Sequence, residues 1–248
     1  MGEKSKIAWT DHTFNPWWGC VKVSPGCEHC YAESFSKRVG QDVWGPSSNR
    51  RFFKDAHWDG PLKWNREAAE INQRARVFVA SMADVCEDRP DLDAPRRRLM
   101  RLIEDTPALT WMLLTKRPQN YGRMFWERWP DNAWALTTAE NQIEYEHRIG
   151  YLKRVKANVL GLSIEPMIGP IDMHDEPVKW VIVGGESGAG ARPMNIEWAR
   201  SIRDQCRETK AAFFMKQLGG VRDHRDKIND LPEDMRIREF PTGKGRGE

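Results

Sequence analysis

From Ala75 to Gly220 the chain repeats one pattern: a short apolar run that ends in polar residues, followed by an amphipathic stretch. The runs are ARVFVASMADVC, LTWMLLTKRP, NAWALTTAEN, NVLGLSIEPMIGPI, VKWVIVGGESGAGARP and AAFFMKQLGG. The apolar part of each is of strand length and lacks strict alternation, which predicts strands buried on both faces. Ile7–Phe14 offers a further strand ahead of them. Helical patterns fall between the runs, over Tyr31–Val39, Ala94–Asp105, Ile143–Val155 and Ile196–Thr209. Strand and helix in alternation imply parallel strands joined by right-handed crossovers. The expected fold is therefore α/β: a partial or complete (β/α) TIM-type barrel with parallel strands, formed by residues 1–248 as one domain. Two segments stand outside the pattern. Residues 40–64 read as an insertion rich in Trp and Arg, irregular over Gly40–Pro61, and 241–248 as a flexible tail.

In such sheets the working residues lie where strands end and loops begin, at the carboxyl edge. The polar ends of these runs are Ser81 and Asp84, Thr115 with Lys116 and Arg117, Thr138 with Glu140 and Asn141, Ser163 with Glu165, Gly184–Ser187, and Lys216 with Gln217. The fold predicts that they converge on one rim.

The strand nearest the N-terminus runs into NPWWGCVKVSPGCEHCYAES, which holds three of five cysteines, Cys20, Cys27 and Cys30. An odd thiol count fits disulfide pairing poorly. The first residues, MGEKSKIAWTDH, lack the apolar stretch of a secretory signal, and no apolar run is of bilayer length. The expectation is a cytoplasmic protein without a membrane partner, whose thiols stay reduced. Three thiolates so close together suit a soft metal centre, either zinc or an iron–sulfur cluster. Zinc needs a fourth protein ligand, for which His29, His12 and Cys86 are candidates. A cluster on three cysteines leaves one iron open. Cys206, inside a predicted helix, reads as a small buried apolar residue.

The loop NPWWGC…SPGCEHCYAE resembles the cluster-binding loop of radical S-adenosylmethionine enzymes. More narrowly, it is similar to a phage-associated radical-SAM-like family of unassigned function, with a first-cysteine region like that of spore photoproduct lyase. ASMADVC, LLTKRP, TTAEN, LSIEPMIGPI and VGGESG carry the resemblance from about Ala8 to Gly219. It departs at the first gap, where six residues separate Cys20 from Cys27 instead of three. Ser24-Pro25-Gly26 supplies turn residues to fold that longer loop back.

The resemblance implies a [4Fe-4S] cluster on Cys20, Cys27 and Cys30, with S-adenosylmethionine on the open iron. It also implies reductive cleavage to a 5′-deoxyadenosyl radical, an external one-electron reductant, and a nucleotide or nucleic-acid substrate. Cofactor contacts are expected from Ser81, Asp84, Thr138, Glu140, Asn141, Glu165, Gly185 and Glu186. In that setting Asp84 faces the methionine ammonium, Glu140 and Asn141 face polar groups of the cofactor, and Glu186 and Arg192 act as polar hands.

Each has a plainer reading beside it: a turn cap for Asp84, an ion pair of Glu165 with Lys116 or Arg117, a tight turn for Gly185 and its neighbours. Six of twelve tryptophans lie in the first 64 residues, which serves packing as readily as base stacking. Arg50, Arg51 and Trp44 are the candidates for phosphate and base contacts; Arg96, Arg97, Arg98 and Arg101 read as a solvated helix face. A net charge of +3 permits a polyanionic partner without demanding one. The competing function is a zinc-stabilised nucleic-acid-binding module without catalysis.

Overall fold

A computed structural model describes residues 4–173, 178–222 and 224–242. Most of the predicted tail lies outside the described residues.

The elements run β1 (His12–Phe14), β2 (Trp17–Trp18), α1 (Tyr31–Arg38), β3 (Arg51–Phe52), α2 (Asp55–Glu70), β4 (Ala75–Val79), α3 (Asp93–Glu104), β5 (Leu109–Thr115), α4 (Tyr121–Met124), β6 (Ala133–Thr138), α5 (Gln142–Leu152), β7 (Leu160–Ile164), β8 (Trp180–Gly184), α6 (Ile196–Thr209) and β9 (Ala212–Gln217). β1, β4, β5, β6, β7, β8 and β9 form one seven-stranded sheet in that order. Every pairing in it is parallel. β1 and β9 are its two edges, so the sheet is a curled partial barrel. β2 and β3 pair separately as a short antiparallel ribbon.

The two faces of the sheet bury different sets. Val77, Val79, Leu113, Ala135, Leu162, Val183 and Met215 join the cluster shared with the helices. The alternate positions Phe78, Met112, Trp134, Leu136, Trp180, Ile182 and Phe214 fill the inside with Trp9. This is the period-two geometry of strands, and it plugs one end of the barrel with large rings. At the other end the register sets Thr115 opposite Thr137 and Thr138 opposite Ser163, so the polar strand ends share one edge.

The first strand is shorter than Ile7–Phe14. The irregular segment ends at Lys54, because α2 runs from Asp55 straight through Pro61. Trp58, Pro61, Trp64 and Ala68 all face inward along it, and that burial outweighs the missing proline N–H. No helix among the described residues is long and apolar enough to cross a membrane.

Candidate functional site

A cavity of about 550 Å³ opens at the carboxyl edge. Its deep end meets Trp9, Phe78 and Leu114, and Cys20, Cys27 and Cys30 all line it. Around it stand Ser81, Asp84, Lys116, Arg117, Thr138, Ser163, Glu165, Lys216 and Gln217. The predicted convergence of strand ends is therefore present, with every set contributing at least one residue and Ser187 standing for Gly184–Ser187. A larger cavity, about 660 Å³, lies at the other end of β9 against Lys179, Arg207, Lys210 and Phe240. That is the amino edge of the sheet, where parallel barrels place stability rather than chemistry.

The cysteine loop is held from several sides. Gly19 precedes Cys20 at φ +113°, and a Cβ there would sit 2.3 Å from the Val43 carbonyl oxygen. Only glycine meets both demands. Gly19 N–H donates to Met82 O at 2.9 Å, tying the loop to the end of β4. Pro25–Cys27 forms a 3₁₀ turn, and Cys30 caps the start of α1. All three thiols are free of disulfides. Burial pushes the Cys20 thiol up to about 12; Asp84 adds to the rise and Arg117 opposes it. Burial also raises Cys30, against the backbone N–H groups of Glu33 and Ala32.

Glu140 is fully buried beneath this loop. Its carboxylate takes Lys116 Nζ at 2.6 Å, Arg148 Nη1 at 2.9 Å and Ser24 Oγ at 2.7 Å. Burial alone would raise its pKa, but Lys116 and Arg148 hold it below the usual carboxylate range. Glu186 plays a similar part on the far side. Arg192 binds it at 2.6 Å and also reaches Pro25 O at 3.0 Å and Glu28 at 3.1 Å. His29 Nδ1 lies 3.2 Å from Glu186 Oε2. Through Glu186 and Arg192 the loop after β8 thus clamps the cysteine loop, while its Ser187 and Gly188 line the cavity.

Asp84 is equally engaged. It accepts from Thr115 Oγ1 at 2.5 Å, the backbone N–H of Cys86 at 2.9 Å and of Lys116 at 3.0 Å, and Arg117 Nη1 at 2.8 Å. Arg117 in turn reaches Val21 O at 2.8 Å and Cys20 Sγ at 3.7 Å.

The remaining candidates divide. Thr138, Ser163 and Glu165 line the cavity. The partner of Glu165 is Lys216, at 2.7 Å, not Lys116 or Arg117. Ser81 lines the cavity too, with its hydroxyl bonded to Asn15 at 3.1 Å. Asn141 instead caps α5, accepting from Glu144 N–H at 3.0 Å. Gly185 packs so closely on Leu218 that a Cβ would lie 2.0 Å from its carbonyl oxygen. Arg50 is buried, bound to Glu87 at 2.6 Å and to the carbonyls of Val43, Gly45 and Ser48. A phosphate contact from Arg50 is excluded by that burial; Arg51 is exposed, stacked on Trp18 at 4.6 Å. Arg96 is buried as well, on the carbonyls of Val85 and Glu87, and does not belong to a solvated face.

Sequence reasoning missed Arg148, Lys116 and Arg192 as the supports of this loop, and Tyr31, whose hydroxyl crosses to Ser81 O at 2.9 Å. For Arg148 a signal existed: a lone arginine on the apolar side of α5, flanked by Tyr145, Ile149 and Leu152.

Of the candidate fourth ligands, His12 stacks on Trp64 at 4.3 Å, His29 meets Glu186, and Cys86 is enclosed in the core. Among the described residues no three His, Cys, Asp or Glu side chains converge on a single-ion position.

The fold is similar to that of spore photoproduct lyase. One such structure, a lyase variant with bound AdoMet and dinucleoside spore photoproduct, superposes with a TM-score of 0.51 at 13% identity. Another variant superposes at 0.52 with 14% identity. In both the match covers 85% of this chain and 64% of the lyase, so the chain spans less than two thirds of the length of these structural relatives. No curated protein matches the sequence. Residues 4–241 match the family described as Protein of unknown function (DUF5131), and the chain belongs to that family.

Proposed function

We propose that this chain is a radical S-adenosylmethionine enzyme that acts on a nucleotide or nucleic-acid base. One observation carries the reading: three free thiols of one loop line a single cavity at the carboxyl edge of a partial parallel barrel. The donor set fits a cluster. Thiolates are its usual ligands, and three of them line this one cavity. Cys20, Cys27 and Cys30 would hold it. A bound [4Fe-4S] cluster supplies one electron, drawn from an external reductant, to the sulfonium of S-adenosylmethionine.

The chain's own residues do the rest. Glu140, Lys116 and Ser24 keep the loop against the sheet, and Glu186 with Arg192 closes it from the other side. Trp9, Phe78 and Leu114 give the cavity an apolar wall, which would help exclude water from a bound cofactor. Thr138 and Ser163 offer hydroxyls, and the Glu165–Lys216 pair offers both charges, to the polar atoms of cofactor and substrate. The substrate class is supported by the lyase of similar fold that holds a dinucleoside spore photoproduct, and by half-buried Trp44 at the cavity. A cytoplasmic setting keeps the thiols reduced.

Anaerobic reconstitution should give a brown protein with about four irons per chain. Replacing all three loop cysteines by alanine should abolish the colour. With dithionite, the native protein should convert S-adenosylmethionine to 5′-deoxyadenosine. A colourless protein that retains one zinc under these conditions refutes the proposal.

A further inference from the structure

The three sulfurs do not have equivalent surroundings. Cys27 Sγ lies 3.7 Å from Ser24 Oγ, whose own proton is directed to Glu140 at 2.7 Å. Cys30 sits at the start of α1, among backbone N–H groups. Cys20 alone, among the described residues, receives a hydrogen bond from a charged side chain, Arg117 Nη1 at 3.7 Å.

Arg117 is built to stay there. It is buried, with 8% of its surface exposed. Its Nη1 also donates to Asp84 Oδ2 at 2.8 Å, and its Nη2 donates to Val21 O, the carbonyl next after Cys20, at 2.8 Å. Asp84 is fixed in turn by Thr115 and by the backbone of Lys116 and Cys86. The guanidinium therefore joins the end of β5 to the first residues of a loop that is three residues longer than the spacing it resembles. A planar fork with several donors can hold a sulfur and a carbonyl together; an ammonium on a flexible stem cannot hold both in one geometry.

A cation beside a ligand sulfur also has an electronic effect. Adding an electron to a cluster adds negative charge, and a hydrogen bond to a ligand sulfur in a low-dielectric site stabilises that charge. We infer that Arg117 is the positioning residue for Cys20 and raises the reduction potential of the centre bound there, so that a weaker reductant suffices. This rests on the radical S-adenosylmethionine reading of the loop.

The test compares native protein with Arg117→Gln, Arg117→Lys and Arg98→Gln, each reconstituted anaerobically with iron and sulfide and titrated with a redox mediator series by electron paramagnetic resonance. Arg98 pairs with Asp55 on an exposed face away from the loop and controls for loss of one positive charge. Arg117→Gln should lower the ratio of reduced to oxidised cluster about tenfold at fixed potential, equivalent to ~59 mV for one electron. Arg117→Lys, which keeps the charge and loses the fork, should recover part of that shift. Arg98→Gln should match the native protein.

If the two Arg117 variants load iron like the native protein and titrate at its potential, the inference is wrong and the cluster reading stands. If the native protein itself takes up no cluster, both fail. Should Arg117→Gln not fold, Arg117→Lys decides alone: a lowered potential supports the inference, and the native potential overturns it.

Discussion

Glu140→Ala removes the acid on which the cysteine loop rests, and its cost follows from what remains. The carboxylate is fully buried and neutralises Lys116 and Arg148 while accepting from Ser24. Breaking a buried pair by deleting one partner costs about 3–5 kcal/mol, because the other charge stays behind. The two bases differ in what they can do next. The Lys116 side chain is 20% exposed and can turn toward the cavity, whereas Arg148 is 6% exposed. Arg148 keeps Glu144 at 2.5 Å and the Thr138 carbonyl at 2.8 Å, which softens its loss. The lower end, about 3 kcal/mol, is the expected value.

At about 2–4 °C per kcal/mol for a chain of this size, that is a fall in Tm of roughly 6–12 °C. Thermal unfolding of metal-free protein by circular dichroism at pH 7 reads it without any cofactor. Glu197→Ala provides the contrast, since the Glu197–Arg200 pair has a 66% exposed acid, is screened by solvent and should leave Tm close to the native value. A Glu140→Ala protein that melts within about 2 °C of the native one would refute the view that Glu140 supports the loop.

Two further outcomes test the same architecture. Burial alone would raise Glu186, but Arg192 and His29 hold it down to about 2, below the unfolded value of about 4.3. Its contribution is therefore present in full above about pH 4.3 and is lost as pH falls toward 2. The Tm gap between native protein and Glu186→Gln should be constant near neutrality and shrink steadily below about pH 4. A gap that does not change with pH counts against the clamp. In the cysteine loop, a Cβ on Gly26 would lie 2.3 Å from Glu140 Cγ, and Glu140 cannot retreat because three groups hold it. Gly26→Ala should cost about 1–3 kcal/mol in urea unfolding, and a Glu140→Ala background should relieve most of that penalty. Simple additivity of the two changes would show that they do not touch.

What the sequence determined by itself is the alternation of buried runs with amphipathic stretches, and from it the parallel sheet and its polar edge. These are local signals, written in the period of side chains along a strand or helix, so α6 is legible residue by residue at Ile196–Thr209. The grouping of Cys20, Cys27 and Cys30 is likewise plain in one short stretch. α2 was hidden because Pro61 argues locally against a helix that the burial of Trp58 and Trp64 sustains.

Only the tertiary structure decided which polar residues remain available at the cavity. Asp84, Glu140 and Glu186 look alike as strand-end acids, yet each is occupied by bases, one of them from its own helix and others from distant segments. Glu140 meets Ser24 across 116 positions of chain, and Arg117 meets Cys20 across 97. Periodicity encodes which face a side chain takes, but not which distant charge it will meet. That choice is made when the strands assemble and buried charges must find partners out of water.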